Sequence, residues 1–267
     1  MKIHPTALIA RGAQLGSNVE VGPYAVIDSG VTVGDDCTIQ AHAILTDHVT
    51  FGARNLVGFG AVIGSAPQDY AHTNSIASSV TVGNDNSFRE YVTIHRGTEE
   101  GTSTWIGSNN LLMGGVHVGH NCVVGGGNVI ANNCLLAGYV HLGDDAVLGG
   151  GAVFHQGLRI GDMVMIRGGT AWSKDIPPFT VGEIINTVCG INAVGMRRKG
   201  VDADARAEVK RAYQLLYRSG LNVTQAVEAS RSSEWGPAGQ RFLAFVAEKS
   251  RRGLCNARGR SRSTESP

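Results

Sequence analysis

The sequence predicts a mainly β chain wound as a solenoid of stacked coils, followed by a small α-helical C-terminal domain. Two observations carry this prediction. An aliphatic or aromatic residue recurs every six positions, at Ile3, Ile9, Leu15, Val21, Ile27, Val33, Ile39, Leu45, Phe51, Val57 and Ile63. Glycine supplies 37 of the 267 residues, about twice its usual share of ~7%. With only 6% aromatic and 17% charged residues, the chain fits neither a helical bundle nor a disordered polypeptide.

The period breaks at SAPQDYAHTNSIASS, resumes at Val82, Phe88 and Ile94, skips a loop around Glu99–Gly101, and runs from Ile106 to Trp172. Two places before each repeat residue stands a small residue or Asn, as at Ala25, Cys37, Ala61, Cys122, Asn128 and Cys134. Two inward positions flanking one outward position make a short strand. The glycines that follow (Gly16, Gly22, Gly34, Gly52, Gly58, Gly64) are expected to give the backbone its freedom to turn. Three such hexads close a triangular coil. This pattern resembles the hexapeptide-repeat family, which implies a left-handed parallel β-helix and a homotrimer. Asn55, Asn86, Asn110 and Asn128 fall at inner places where amides can bond along the stack. Cys37, Cys122 and Cys134 are core residues by phase, leaving Cys189 and Cys255 outside the repeat; no CxxC pair exists, and five cysteines, an odd count, argue against a disulfide framework.

Past Asp175 the segment IPPF ends the repeat and a 3.6-residue period begins. Helices are predicted in DADARAEVKRAYQLLYRSG, with Val209, Ala212, Tyr213, Leu216 and Tyr217 inward, in NVTQAVEA, and from Pro237, with Phe242, Phe245 and Val246 inward. The expected domains are residues 1–183 (β-helix) and 184–252 (helical), with 253–267 a disordered basic tail. Charge divides along the same line: residues 1–185 sum to −7 and residues 186–267 to +8, so the basic part is expected to meet something acidic. No run of about 18 apolar residues and no charged-then-apolar start is present, so neither a membrane span nor export is predicted and a cytoplasmic protein is expected.

Five of the nine histidines lie between residues 95 and 155. The hexad phase turns His117 and His120 outward. Eighteen residues beyond His120 is Gly138 and a further coil on is Gln156, while Gly119 stacks under Ala137 and then His155; small residues beside a histidine leave a groove. A neutral imidazole there can take a proton from an alcohol, and the Gly138 amide, about one layer of ~4.8 Å away, could donate to a developing oxyanion. No serine sits beside His120 in a nucleophile motif, which argues against a covalent route.

The ordered set VTIHRGT, GSNNLLM, HVGHNC, IANNCLLAGYV, VFHQ, DIPPF and AYQLLYRSG resembles the acyl-carrier-protein-dependent UDP-N-acetylglucosamine O-acyltransferases of lipid A biosynthesis over nearly the whole chain. The resemblance implies transfer of a fatty acyl group, 3-hydroxyacyl in type, from acyl carrier protein to the sugar 3-hydroxyl, without cofactor or metal and without a nucleic-acid partner. It makes His120 the base and Gly138 the oxyanion donor. Asp69, His117, Asn121, Tyr139, His155, Gln156, Asn192 and Arg198 become substrate-binding residues, and Gly168, in the column of Gly114, Asn132 and Gly150, the acyl-chain ruler. Four positions depart from the family pattern: Asn121 replaces Asp, Ala71 replaces Lys, Tyr139 replaces His and Val194 replaces Glu. These leave open a different acceptor, such as a 3-amino UDP-sugar. A non-catalytic solenoid and a zinc enzyme of γ-carbonic-anhydrase type, with His117 and His120 as ligands, are the rival classes.

Overall fold

Each short strand pairs in parallel with the strand 18 residues on: Lys2–Ile3 with Glu20–Val21, Leu8–Ile9 with Val26–Ile27, and Gln14–Leu15 with Thr32–Val33. The computed structural model describes all residues except 47, 71, 74 and 260–267, so Ala71 and the last part of the expected tail lie outside the described residues. Among the described residues three sheets of twelve, nine and eight strands form the faces of a triangular prism. The first face includes Leu111–Leu112, the second His117–Val118 and the third Val123–Val124. This is the left-handed parallel β-helix that the sequence predicts.

Both inward positions of the hexad fill the prism, from Val19 and Val21 through Val164 and Ile166. A fully buried aliphatic side chain contributes roughly 1.5–3 kcal/mol, and its sealing by the next coil matters: Ile3, in the terminal coil, is 45% exposed, whereas Ile27 is 1% exposed. Inner asparagines continue the stack with polar bonds. The amides of Asn86 donate to Asn55 Oδ1, those of Asn110 to Asn86 Oδ1, the Asn128 N–H to Asn110 Oδ1, and Ala146 N–H to Asn128 Oδ1, all at 2.8–3.0 Å.

The glycines following the repeat residues have a different task from the expected one. The left-handed backbone at each corner belongs to the residue two places later, as at Asn18, Asp36, Asn121 and Tyr139, with φ between 57° and 59°. Gly34 is needed because a Cβ there would lie 2.6 Å from the Gly52 carbonyl in the next coil. Close approach of coils, rather than turning, selects glycine at these places; Gly64, at φ 96°, is the exception.

Two insertions interrupt the 18-residue register. The first lengthens it to 31 residues (Leu56 pairs with Ser87) and the second to 24 (Ser87 pairs with Leu111). Both leave the second face, after Val62–Ser65 and Thr93–His95, and return to the third at Ser79–Val82 and Ser103–Ile106. They therefore open on the same edge of the prism, in the two successive coils before the one that carries His120.

A hairpin of Thr180–Ile184 and Thr187–Ile191 extends the first face across the expected domain boundary. Four helices follow among the described residues: α1 (Ala193–Arg198), α2 (Ala203–Tyr217), α3 (Val223–Ser230) and α4 (Pro237–Ala247). The inward residues predicted for α2 are all buried, and in α4 Phe242 and Val246 are buried while Phe245 packs against Arg159. Asn222 caps α3 in a reciprocal box with Gln225, and Pro237 starts α4. The tail expected to be disordered from residue 253 instead returns to the sheet. Asn256–Ala257 pairs with Thr187–Ile191, and Leu254 and Cys255 are buried, because the hairpin offers an unpaired edge and an apolar seat.

The charge division has an internal counterpart. Arg241 reaches Asp144 and Asp162, Lys199 lies 2.5 Å from Asp145, and Arg258 lies 3.7 Å from Glu183, joining basic C-terminal segments to the acidic solenoid. Exposed pairs of this kind contribute little individually. Arg159 is different: it is mostly buried, 2.8 Å from the 2%-exposed Asp175 side chain, and stacks 4.6 Å from the Phe245 ring, tying α4 to the solenoid.

Candidate active site

His120 stands at the corner between the second and third faces, and Gly138 is its counterpart one coil on. A Cβ on Gly138 would collide with the His120 ring at Cε1 and Nε2, so the glycine is what lets the imidazole lie over the next coil. The amides flanking Gly138 are used: Ala137 N–H donates to Phe154 O at 3.1 Å and Tyr139 N–H to His120 O at 2.9 Å. Among the described residues none accepts from the Gly138 N–H.

The other nitrogen of the ring is fixed. His120 Nδ1 lies 2.9 Å from Asn121 Oδ1, which also accepts from the Thr98 backbone N–H at 3.0 Å. A backbone N–H can only donate, so the amide atom facing it is oxygen, and His120 Nδ1 must carry a proton to bond that oxygen. Nε2, the nitrogen beside Gly138, therefore holds the free lone pair. Thr98 comes from the second insertion, a contact that no hexad period could reveal.

His117 points outward on the second face, half-buried, with Nδ1 2.8 Å from Thr93 Oγ1. Burial, followed by the influence of His120, pushes its pKa below the usual value. Beside it, ring centroids 5.0 Å apart and edge to face, is His95, a residue that sequence reasoning did not select. His95 is 6% exposed and ends the strand Thr93–His95, where the second insertion leaves the second face. Burial, followed by His117 and His120, lowers its pKa from 6.5 to about 4. The unfolded chain takes up this proton near 6.5 whereas the folded chain resists it until about 4, so His95 makes stability fall as pH drops through that window. Denaturant unfolding at several pH values is expected to show this loss in wild type and a flatter dependence in His95→Gln.

The remaining candidates divide among the prism edges. Asn121, Tyr139, His155 and Gln156 share the His120 edge, and His155 borders a hollow of about 300 Å³ with Ala171, Trp172 and Ile185. Asp69 is exposed on the first insertion, which opens on that edge. Gly168 occupies the edge between the first and second faces, and Asn192 and Arg198 the edge between the third and first. Asn192 caps α1, accepting from Gly195 N–H at 2.9 Å and donating to Met163 O at 2.8 Å; Arg198 is exposed at the end of that helix. One chain therefore does not gather all of these residues into one groove. The buried thiols offer no alternative nucleophile, because burial pushes Cys122 and Cys134 up to about 12. Among the described residues no group of three His, Cys, Asp or Glu side chains could hold a metal ion, and no helix is long and apolar enough to cross a membrane.

Coil, corner histidine and helical cap define a hexapeptide-repeat transferase in architecture, and residues 12–47 match the bacterial transferase hexapeptide repeat. Residues 175–255 match domain 2 of UDP-N-acetylglucosamine O-acyltransferase. An acyl-[acyl-carrier-protein]--UDP-N-acetylglucosamine O-acyltransferase from Paraburkholderia phymatum is 42% identical over 260 residues, covering 95% of this chain and 98% of that protein. One from Synechocystis is 40% identical over 200 residues, covering 74% and 72%. Among solved structures, the UDP-N-acetylglucosamine acyltransferase of Bacteroides fragilis superposes with a TM-score of 0.89 at 36% identity, covering 95% of this chain and 99% of that one. That of Francisella novicida gives 0.91 at 32% identity, covering 96% and 95%. The chain belongs to the UDP-N-acetylglucosamine O-acyltransferase family and is an acyltransferase.

Proposed function

We propose that the protein transfers a 3-hydroxyacyl group from acyl carrier protein to the 3-hydroxyl of UDP-N-acetylglucosamine, the first step of lipid A biosynthesis. The observation that carries the chemistry is the fixed Nδ1–H of His120, which leaves Nε2 as a base beside the Gly138 amide. Nε2 accepts the sugar hydroxyl proton as the oxygen attacks the thioester carbonyl. The Gly138 N–H donates to the resulting oxyanion. Collapse expels the carrier thiolate, which recovers the proton from the imidazolium, so the histidine ends as it began.

A homotrimer completes the site in this reading. Asn192 and Arg198, on a different edge from His120, hold the nucleotide for a neighbouring chain, while His117, His155 and Gln156 line the sugar and nucleotide path and Asp69 reaches the sugar from the adjoining subunit. The acidic carrier docks on the basic C-terminal part, using cations other than those paired with the solenoid. Intact-mass analysis of products from mixed acyl carrier proteins and UDP-sugars tests the proposal. An alkali-labile ester on UDP-N-acetylglucosamine is expected; a stable amide formed only on a 3-amino UDP-sugar would instead fit the departures at Tyr139 and Val194 and would overturn the acceptor assignment.

Gly168 as the acyl ruler also depends on the neighbouring chain. A Cβ on Gly168 would lie 2.8 Å from the Gly150 carbonyl oxygen, so the glycine has a local packing reason as well. Gly168→Met is expected to shift product distribution toward shorter chains, with Gly168→Ala as the control for that local strain. An unchanged distribution in folded Gly168→Met would place the ruler elsewhere.

A further inference from the structure

Building on the reading of His120 as the base, we infer that Thr98 and Tyr139 are positioning residues for it, acting through a directed chain of hydrogen bonds that converges on Asn121. Asn121 and Tyr139 occupy equivalent left-handed corners on successive coils, at φ 58° and 59°, so their side chains leave the same edge one above the other. The second insertion brings Thr98 against both. Thr98 Oγ1 lies 3.0 Å from Asn121 Oδ1 and 2.9 Å from the Tyr139 hydroxyl.

The donor directions follow from atom type. Asn121 Oδ1 has no proton, so the single Thr98 hydroxyl proton points to it. Thr98 Oγ1 is then an acceptor toward Tyr139, whose phenol must donate. The chain runs from Tyr139 O–H to Thr98 O–H to Asn121 Oδ1, where it meets His120 Nδ1–H arriving from the other side. The Tyr139 ring also stands edge to face against the imidazole, with centroids 5.2 Å apart and planes at 87°. Tyr139 thus holds the base twice, by ring contact and through the hydroxyl chain.

Three donors share one amide oxygen: Thr98 N–H, Thr98 O–H and His120 Nδ1–H. Each reduces the electron density available to the others. The Thr98 hydroxyl, strengthened as a donor by Tyr139, therefore limits how well Oδ1 can stabilise an imidazolium, and with the Thr98 N–H it holds the amide tightly in the one orientation that keeps Nε2 free. His95 and His117, on the adjoining strands, are titratable groups that interact with His120, and the substitutions below leave both in place.

The test compares kcat, acceptor KM and the pH dependence of kcat/KM for full-chain wild type, Thr98→Val, Thr98→Ser, Tyr139→Phe and His120→Ala. Thr98→Val is expected to lower kcat by up to roughly tenfold, the scale of one hydrogen bond, with KM little changed. It should also move the acid limb to higher pH, because Oδ1 is freed to bind the imidazolium and the base must lose its proton to act. Tyr139→Phe, which keeps the ring, should move the limb in the same direction by less, and Thr98→Ser should restore the limb and most of the rate. If His120→Ala is inactive while Thr98→Val and Tyr139→Phe keep the wild-type rate and limb, the positioning inference is overturned and the base assignment stands. A rate loss equal at every pH and not recovered by Thr98→Ser also overturns it, as purely structural damage. Full activity of His120→Ala removes the base itself, and the chain of bonds with it. Should Thr98→Val fail to fold, Tyr139→Phe gives the same readings.

Discussion

Turnover of His120→Ala is expected to fall at least ~100-fold, with binding of the UDP-sugar much less affected. The loss has one chemical source. Removing the imidazole removes the lone pair held beside Gly138, and the nearby thiols Cys122 and Cys134 are buried and pushed up to about 12, so they offer no ready substitute base. His117→Ala should cost less, since His117 flanks the corner and its Nδ1 is occupied with Thr93. Steady-state kinetics on both variants, with circular dichroism to show retained fold, checks the ordering. Near-normal turnover in folded His120→Ala would contradict the mechanism.

Gly138→Ala, which adds one methyl group, is expected to be nearly as damaging, with a loss on the order of 100-fold. The added Cβ collides with the His120 ring and must push it from the edge, while the shifted backbone moves the amide proposed to meet the oxyanion. Both losses fall on the transition state, so kcat should drop more than acceptor KM rises. Gly138→Ala with unchanged kcat would show that the ring lies elsewhere during the reaction.

The fold was legible because the hexad is a strict spatial rule: two inward places per strand, repeated in every face, leave a trace that survives substitution of one apolar residue by another. His120 and Gly138 were legible for the same reason, since residues 18 apart must stack. What escaped lay off the lattice. Thr98 reaches Asn121 from an insertion with no period, His95 is buried beside His117 where that insertion begins, and Leu254 and Cys255 find their seat on a hairpin that the helix-like composition around it concealed. For the glycines, spacing alone points to the wrong physics. Sequence marks where a Cβ is absent, but only the stacked coils reveal that Gly34 yields space to the neighbouring backbone while the left-handed turn falls on Asp36. Likewise the net +8 of residues 186–267 indicates an acidic partner without saying that the solenoid itself supplies part of it through Asp144, Asp145 and Asp162.

Direct transfer by the His120 base is tested most plainly by a single-turnover experiment that follows carrier thiol release and sugar ester formation together, with and without UDP-N-acetylglucosamine. The account predicts that thiol and ester appear at one rate, that no thiol is released without the acceptor, and that neither appears on the same timescale with His120→Ala. A burst of thiol in the absence of acceptor, accompanied by an acyl adduct on the protein, would contradict it.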